Sequence, residues 1–403
     1  MDQNAARAKR RHRNMIRRNR QLAELAESLD LNLLFTLVFL LAFGLLMVYS
    51  ASSYVALRDW GNQAYFFNKQ LKSDLLGLAV MIIVIFVPLQ WVKYAAIPSY
   101  IASYFLIGLV KSSLGVKSHN ATRWITIPGL GFNLQPAEVA KLAMIITLAL
   151  VIDFIGKDIN NTKKILWPAL LPLPLCAEIY LVTDNLSSAL IVAGISFVMI
   201  FIATRDYKWF VLIIGVAGAI AAGVVAYVAN TDLSSDASFR LGRISAWIHP
   251  ENSTESSAHQ ALQSMYAIGN GGVFGVGLGK SVQKISALPE PHNDMIFAII
   301  CEEMGIVGAV ALILLFVMLL FQMYRVARST RNRFRFLVVV GVIAHIAIQV
   351  VLNIAVATNS MPNTGVSLPF ISYGGSSVMF LLIEVGLVLN VNRLNRLEAI
   401  REQ

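Results

Sequence analysis

Charge is scarce in this chain. Only 14% of its 403 residues are Asp, Glu, Lys or Arg, while 57% are hydrophobic, and the mean hydropathy is +0.65. That excludes an ordinary soluble domain, in which about a quarter of residues are charged. Cysteine is nearly absent. Cys176 and Cys301 both lie in apolar runs, which excludes a disulfide framework or a cysteine metal cage and leaves apolar packing as their role. No cleavable signal peptide is expected. Residues 1–30 are polar and basic, and the first apolar run has no small-residue cleavage site, so Leu31 onward reads as a retained membrane helix. No internal repeat of the inverted-transporter kind is visible.

What is present is a series of apolar runs of about 18–25 residues, the length that spans a hydrocarbon core of about 30 Å. They fall at 31–51, 72–90, 94–112, 136–155, 165–182, 186–203, 208–229, 293–323, 336–358 and 372–392. The expected fold is therefore an all-α polytopic membrane protein of ten transmembrane helices. A basic tail (1–30) precedes the membrane domain (31–392), and a short tail (393–403) follows. Segment 293–323 is long enough that it must tilt or project. The tail carries Arg7, Lys9, Arg10, Arg11, Arg13, Arg17, Arg18 and Arg20, and the connections 91–93, 156–164, 204–207 and 324–335 are also basic. The outer loop 230–292, between helices 7 and 8, has four basic residues, and loop 359–371 has none. The net charge of +10 thus reads as a positive-inside signal with both termini cytoplasmic, and not as a nucleic-acid footprint.

The outer loops hold the chemistry. From Gln263 to Gly308 the chain passes a glycine-rich stretch, Lys280 and Lys284, a proline-broken LPEPHND, and then an apolar helix with Glu302 and Glu303. The prolines place Asp294 in the first helical turn, where the dipole favours its anion; a simple N-cap is the alternative. GNGGVFGVGLG follows no strand, so a dinucleotide fold is excluded. Its glycines either bring backbone N–H groups to an anion or permit close helix packing. Arg123 and Trp124 suit a phosphate with a sugar face, or an interfacial anchor. Glu138 and Lys141 share a helix face just inside the membrane, as cavity-lining groups or as a structural ion pair. His345, Gln349 and Asn353 form a polar stripe, which either lines a hydrated groove or bonds neighbouring helices. Glu178 and Glu384 are intramembrane acids without a sequence partner. The stretch NSMPNTGVSLPFISYGGSS reads as a capping loop that must face protein or water.

Five stretches in order, TRWI, LQPAEVAKLA, AIGNGGVFGVGLGKSVQK, LPEPHNDMIFAIICEEMG and TGVSLPFISYGGSS, resemble the SEDS family (shape, elongation, division and sporulation). The resemblance extends over essentially the whole chain. It implies a ten-helix peptidoglycan glycosyltransferase that polymerises lipid II outside the bacterial cytoplasmic membrane, working with a class B penicillin-binding transpeptidase. The LPEPHND form and the basic N-terminal extension resemble the division branch, at the septum, more than the elongation branch; a sporulation member is a further alternative. By motif, Asp294 matches the family's essential carboxylate, Glu138 and Lys141 the pair of QPxExxK, and Lys284 the lysine before LPE. The chain departs from the family where PDL is usual and it reads Asp184-Asn185-Leu186, so no role is carried over to Asp184. The family's NGA is likewise altered, to Asn120-Ala121-Thr122.

Glycan polymerisation moves a glycosyl group from a polyprenyl diphosphate to a sugar hydroxyl. The diphosphate leaves readily, so one base is sufficient, unlike the two-carboxylate pattern of hydrolases. The expectation is that Asp294 is that base, or alternatively positions a cation. Arg243 and Lys284, with Arg123, Glu138 and Lys141, would form the diphosphate site. No tightly held metal is expected; Mg²⁺ or Mn²⁺ would assist by neutralising the diphosphate. An apolar groove should hold the polyprenyl tail. Expected partners are lipid II, the transpeptidase, other division proteins and membrane lipid, with no nucleic acid. Two other classes compete: a lipid II flippase, favoured by the intramembrane acids, and a non-catalytic scaffold. Against a carrier, the richest chemistry lies at the outer face and not at the midplane.

Overall fold

A computed structural model describes residues 30–402, apart from 119–120, 127–132, 206, 231–238, 249, 251–255 and 287. The basic stretch 1–29, part of the outer loop 230–292 and Asn120 lie outside the described residues.

Helices follow the apolar runs. α1 is Leu31–Trp60, α2 Tyr65–Phe86 and α3 Leu89–Leu109. Three short antiparallel strands come next, β1 Gly115–Ser118, β2 Ala121–Thr126 and β3 Asn133–Leu134, in the order β1-β2-β3 with Val116 opposite Trp124 and Ile125 opposite Leu134. Then come α4 Pro136–Ile155, α5 Thr162–Leu170, α6 Pro172–Thr183, α7 Leu186–Ala203 and α8 Lys208–Ala229. α9 Phe239–Ile248, α10 Ser256–Gly271 and α11 Gln283–Ser286 are short; α12 Ile296–Arg328, α13 Arg333–Ala357 and α14 Gly375–Glu402 are long.

Among the described residues, nine spans are long and apolar enough to cross a membrane, α5 and α6 together making one of them. The tenth expected segment, 72–90, is α2, which begins seven residues earlier than its apolar run. Lys69, Lys72 and Asp74 keep it outside that group of nine, although it packs along α14 inside the bundle. Two of its polar residues pair along the helix: Gln70 Nε2 donates to Asp74 Oδ1 at 2.9 Å, and both side chains are buried. The expected connection 230–292 contains three short helices, α9, α10 and α11. The periodicity of α10 was hard to see because its buried face is made of Ala258, Ala261, Ser264 and Ala267. Small residues at every third position let α10 lie close against α12.

The core is apolar and mostly aliphatic, with Leu37, Met47, Met144, Ile195, Phe316 and Val339 among its buried side chains. α8 stands apart, with only Phe210 and Val228 buried. One end of the bundle gathers basic side chains. Asp30 caps α1 and approaches Arg396 at 3.8 Å and Arg325 at 4.0 Å. Arg331 pairs with Glu402 at 2.6 Å, and Arg335 with Glu398 at 2.7 Å. The start of α1, the α12–α13 connection and the end of α14 therefore share one end. The residues read as a C-terminal tail are helical as far as Glu402 and continue α14.

Candidate active site

Asp294 lies at the opposite end, just ahead of α12. Pro289 and Pro291 interrupt the chain, Glu290 adopts φ 51°, and the helix begins only at Ile296 with Met295 as its cap. This corrects the expectation that Asp294 occupies the first helical turn: it precedes both the helix and its cap. Its backbone carbonyl accepts from Asn353 Nδ2 at 2.8 Å, and the same amide reaches Val366 O at 2.8 Å. One member of the polar stripe on α13 thus ties the Asp294 segment to the last outer loop.

The carboxyl of Asp294 is pushed up to about 7. Burial is the largest cause and the neighbouring Glu290 carboxylate adds to it, against the Asp294 backbone, Arg243 and a hydrogen bond from Gln260. Gln260 on α10 donates to Asp294 Oδ1 at 3.3 Å, and Asn363 donates to Gln260 Oε1 at 2.5 Å. Arg243 on α9 donates to the Asn363 carbonyl at 3.2 Å. The other oxygen, Oδ2, faces Gly365. His292 is buried between Phe66 and Tyr373, with ring centroids 4.4 and 5.6 Å away, and burial lowers its basicity. Tyr373 N donates to His292 O at 2.9 Å and Ser372 Oγ to Asn293 O at 2.6 Å, so the last loop buttresses the Asp294 segment residue by residue.

Of the residues named from sequence, Arg243 joins Asp294, and the other four stand elsewhere. Arg123 on β2 caps the end of α6, donating from Nη2 to Asp184 O at 3.1 Å and from Nε to Thr183 O at 3.4 Å. It reaches the site's edge indirectly, since Ser187 at the start of α7 donates to Thr364 O at 2.6 Å, beside Gly365. Glu138 and Lys141 form a buried ion pair, 2.7 Å from Nζ to Oε1, one turn into α4. The start of α4 is tied to α14 by Gln135 N, which donates to Ser376 Oγ at 3.3 Å. Lys284 Nζ is bound to Glu303 Oε1 at 2.7 Å and to Ser50 Oγ at 3.1 Å. Ile296 to Glu303 is roughly 10 Å of helix, which separates Lys284 from Asp294.

The glycine-rich stretch packs against α12. Val276 N donates to Glu302 O at 2.9 Å and Gly277 N to Glu303 O at 3.0 Å, at a break in α12 where Gly305 has φ 67°. Glu302 accepts from Asn270 Nδ2 at 2.9 Å, from Val282 N at 3.1 Å and from Ser281 Oγ. Those N–H groups are engaged by α12, which favours close packing over an anion cradle. Glu384 finds its partner in His345, with Nδ1 2.8 Å from Oε2. Among the described residues, no three His, Cys, Asp or Glu side chains converge as metal ligands would.

Sequence reasoning missed Gln260, Asn363 and Gly365. The first lies in the outer loop 230–292, ahead of its glycine-rich stretch, and the other two in the capping loop. The signal was present as polar and glycine residues in outer loops, but nothing local pairs positions 103 residues apart.

A family model described as a cell cycle protein, covering FtsW, RodA and SpoVE, matches residues 31–397. The chain is 36% identical to a probable peptidoglycan glycosyltransferase FtsW of Trichlorobacter lovleyi, over 90% of this chain and 93% of that one. It is also 36% identical to stage V sporulation protein E of Bacillus subtilis, over 91% and 98%. Among solved structures, it matches a chain from a peptidoglycan synthase complex, described as coordinating polymerization and crosslinking, with TM-score 0.73 and 27% identity over 91% and 98%. The rod shape determining protein RodA of Thermus thermophilus matches with TM-score 0.65 and 27% identity over 91% and 97%.

Proposed function

This chain belongs to the FtsW, RodA and SpoVE family, and from that premise we propose that it is a peptidoglycan glycosyltransferase of cell division. It is a multi-pass membrane protein. In our reading the basic end is cytoplasmic, the Asp294 end faces outward, and the protein works at the septum on lipid II. The observation that carries this reading is the Asp294 carboxyl, held by Gln260 and raised to about 7. A group that titrates there is both available as a base and strong enough to take a proton at neutral pH.

The step follows. The acceptor hydroxyl oxygen of lipid II bonds to the anomeric carbon of the donor. The bond from that carbon to the diphosphate breaks, and its electron pair leaves with the diphosphate. The hydroxyl proton passes to Asp294. Arg243 stands nearest to Asp294 among the cations named from sequence and supplies positive charge for the diphosphate. A divalent cation would enter with the diphosphate as its counter-ion. An apolar recess of about 490 Å³ along α3, lined by Ile101, Tyr104, Phe105, Gly108 and Leu109, suits part of the polyprenyl tail. The likeness to a chain of a synthase complex supports a crosslinking transpeptidase as partner.

The test is polymerisation of labelled lipid II by the purified protein with its transpeptidase, comparing wild type with Asp294→Asn, each with and without Mg²⁺ or Mn²⁺. Glycan from wild type and none from a folded Asn variant is the expected result. Equal polymerisation by the Asn variant would overturn the role of Asp294. Transport of lipid II across liposomes without any glycan product would replace the transferase by a flippase.

A further inference from the structure

Two side-chain amides stand in line behind Asp294. Asn363 has its Oδ1 engaged by Gly365 N at 3.1 Å and its carbonyl engaged by Arg243 Nη1 at 3.2 Å. Its Nδ2 is thereby turned to Gln260 Oε1, 2.5 Å away. Gln260 is 8% exposed. With Oε1 occupied, its Nε2 faces Pro289 O at 3.4 Å and Asp294 Oδ1 at 3.3 Å. Both amide protons are used. Flipping the amide would set an oxygen against a carbonyl and a carboxylate and leave Asn363 donating towards another donor. The chain of bonds thus has one self-consistent direction, from Asn363 through Gln260 to Asp294.

The result is an asymmetric carboxyl. Oδ1 is occupied by Gln260. Oδ2 faces Gly365, whose φ is +66° and whose missing Cβ would lie 3.9 Å from that oxygen. A side chain at position 365 would extend over Oδ2 and fill the space that a hydroxyl needs.

We propose that Gln260, oriented by Asn363, is a positioning residue that engages Oδ1 of Asp294 and leaves Oδ2, above Gly365, as the oxygen that takes the proton of the acceptor hydroxyl. This rests on Asp294 being the base of the transferase. A neutral amide is well matched to that role. It orients the carboxylate without the full positive charge of a bonded guanidinium, which would hold on to the anion and weaken it as a base. The charges facing the carboxyl are Glu290 and Arg243, of opposite sign. In the step, the hydroxyl O–H bond breaks towards Oδ2 as the new glycosidic bond forms.

The experiment is steady-state polymerisation of lipid II by the full chain with its transpeptidase, using Gln260→Met, Gln260→Glu, Gly365→Asn and Asp294→Asn, normalised to folded protein. Gln260→Met keeps the volume and removes both donors; kcat should fall roughly tenfold to a hundredfold while KM changes by less than about twofold. Gln260→Glu keeps the bond from Asn363 and sets a second carboxylate against Oδ1, so the rise of activity with pH should move up by about one unit or more. It carries the test if Gln260→Met folds poorly. Asn tolerates a left-handed backbone, so Gly365→Asn separates filling the space from straining the chain, and it should abolish turnover. A structural role alone would reduce folded protein and leave kcat and the pH profile of the folded fraction as in wild type; that result overturns the proposal. If Asp294→Asn is active, the base assignment itself fails. If Asp294→Asn is dead while the Gln260 and Gly365 variants turn over normally, only the present inference fails.

Discussion

Lys284 and Glu303 form an ion pair with 2.7 Å between Nζ and Oε1 and both side chains buried, joining the segment before LPEPHND to α12 just ahead of its break at Gly305. Ser50 of α1 donates to both Glu303 oxygens at 2.7 Å. The pair is therefore a three-way junction of α1, α11 and α12.

Lys284→Met should consequently act on stability. Removing one partner of a buried pair leaves the other charged and uncompensated, which costs about 3–5 kcal/mol. The double variant Lys284→Met, Glu303→Gln should recover a large part of that loss, because no lone charge remains buried. Thermal unfolding in detergent reads both. If the single variant unfolds like wild type but its KM for lipid II rises, Lys284 contacts the diphosphate after all.

Asp294 predicts opposite trends for activity and stability. Activity should rise with pH through about 7, as the carboxyl becomes an anion able to act as base. For stability, the folded carboxyl sits above the ordinary carboxylate value of about 3.9. The folded state therefore binds the proton more tightly than the unfolded state between those values. Stability from this group is fully present below about 4 and is lost as pH rises towards 7. Asp294→Asn removes that penalty, so the inactive variant should be more stable than wild type at pH 8 and similar at pH 4. Unfolding curves at the two pH values check the sign. A wild type that gains on the variant as pH rises would contradict it.

The long helices were legible because run length alone implies a membrane helix, and Asp294 because two prolines and an apolar helix bracket it. The rest depended on distant partners. Glu384 gave no sign of His345, nor Lys284 of Glu303, and the amide of Gln70 is matched to Gly374 N at 3.0 Å across 304 positions. α2 extended beyond its apolar run for that reason: tertiary bonds accommodate polar residues that composition alone would place in a loop. The glycine stretch was ambiguous in sequence because packing and anion binding ask for the same residue, and only the position of the α12 carbonyls separates them.

Gly305 gives a sharper test of that packing. A Cβ there would lie 2.3 Å from Val273 O and 2.4 Å from Gly275 N, at a φ of +67°. Backbone cannot yield as a flexible side chain does, so Gly305→Ala should separate the glycine stretch from α12 and destabilise the protein strongly. Gly218 in α8 has nothing within 4 Å of its would-be Cβ. Gly218→Ala should be neutral or gain about 0.5–1 kcal/mol of helix stability. Proteolysis within 271–282 distinguishes local release from global unfolding. Equal behaviour of the two variants would refute the docking of the glycine stretch.

Arg123 tests whether a cation chosen for its chemistry serves its charge or its shape. Its Nε and Nη2 point at the carbonyls of Thr183 and Asp184, two of the unsatisfied acceptors at the end of α6. A guanidinium reaches two carbonyls with one planar fork; an ammonium of the same charge has no such fork. Arg123→Lys therefore keeps the positive charge and loses the geometry. If capping is its work, the variant should lose about 1–3 kcal/mol while kcat and KM for lipid II hold. The carbonyl of Thr364, which accepts from Ser187 just past the capped turn, should then tolerate the change, because Asn185 still caps α7 through Ser188 N at 3.0 Å. If Arg123 instead binds the diphosphate, Lys should preserve stability, and Arg123→Gln should raise KM while Arg123→Lys raises it less. Capping predicts the reverse ordering of readouts: both variants less stable by similar amounts and neither changed in KM, because both have lost the fork and only one has lost the charge.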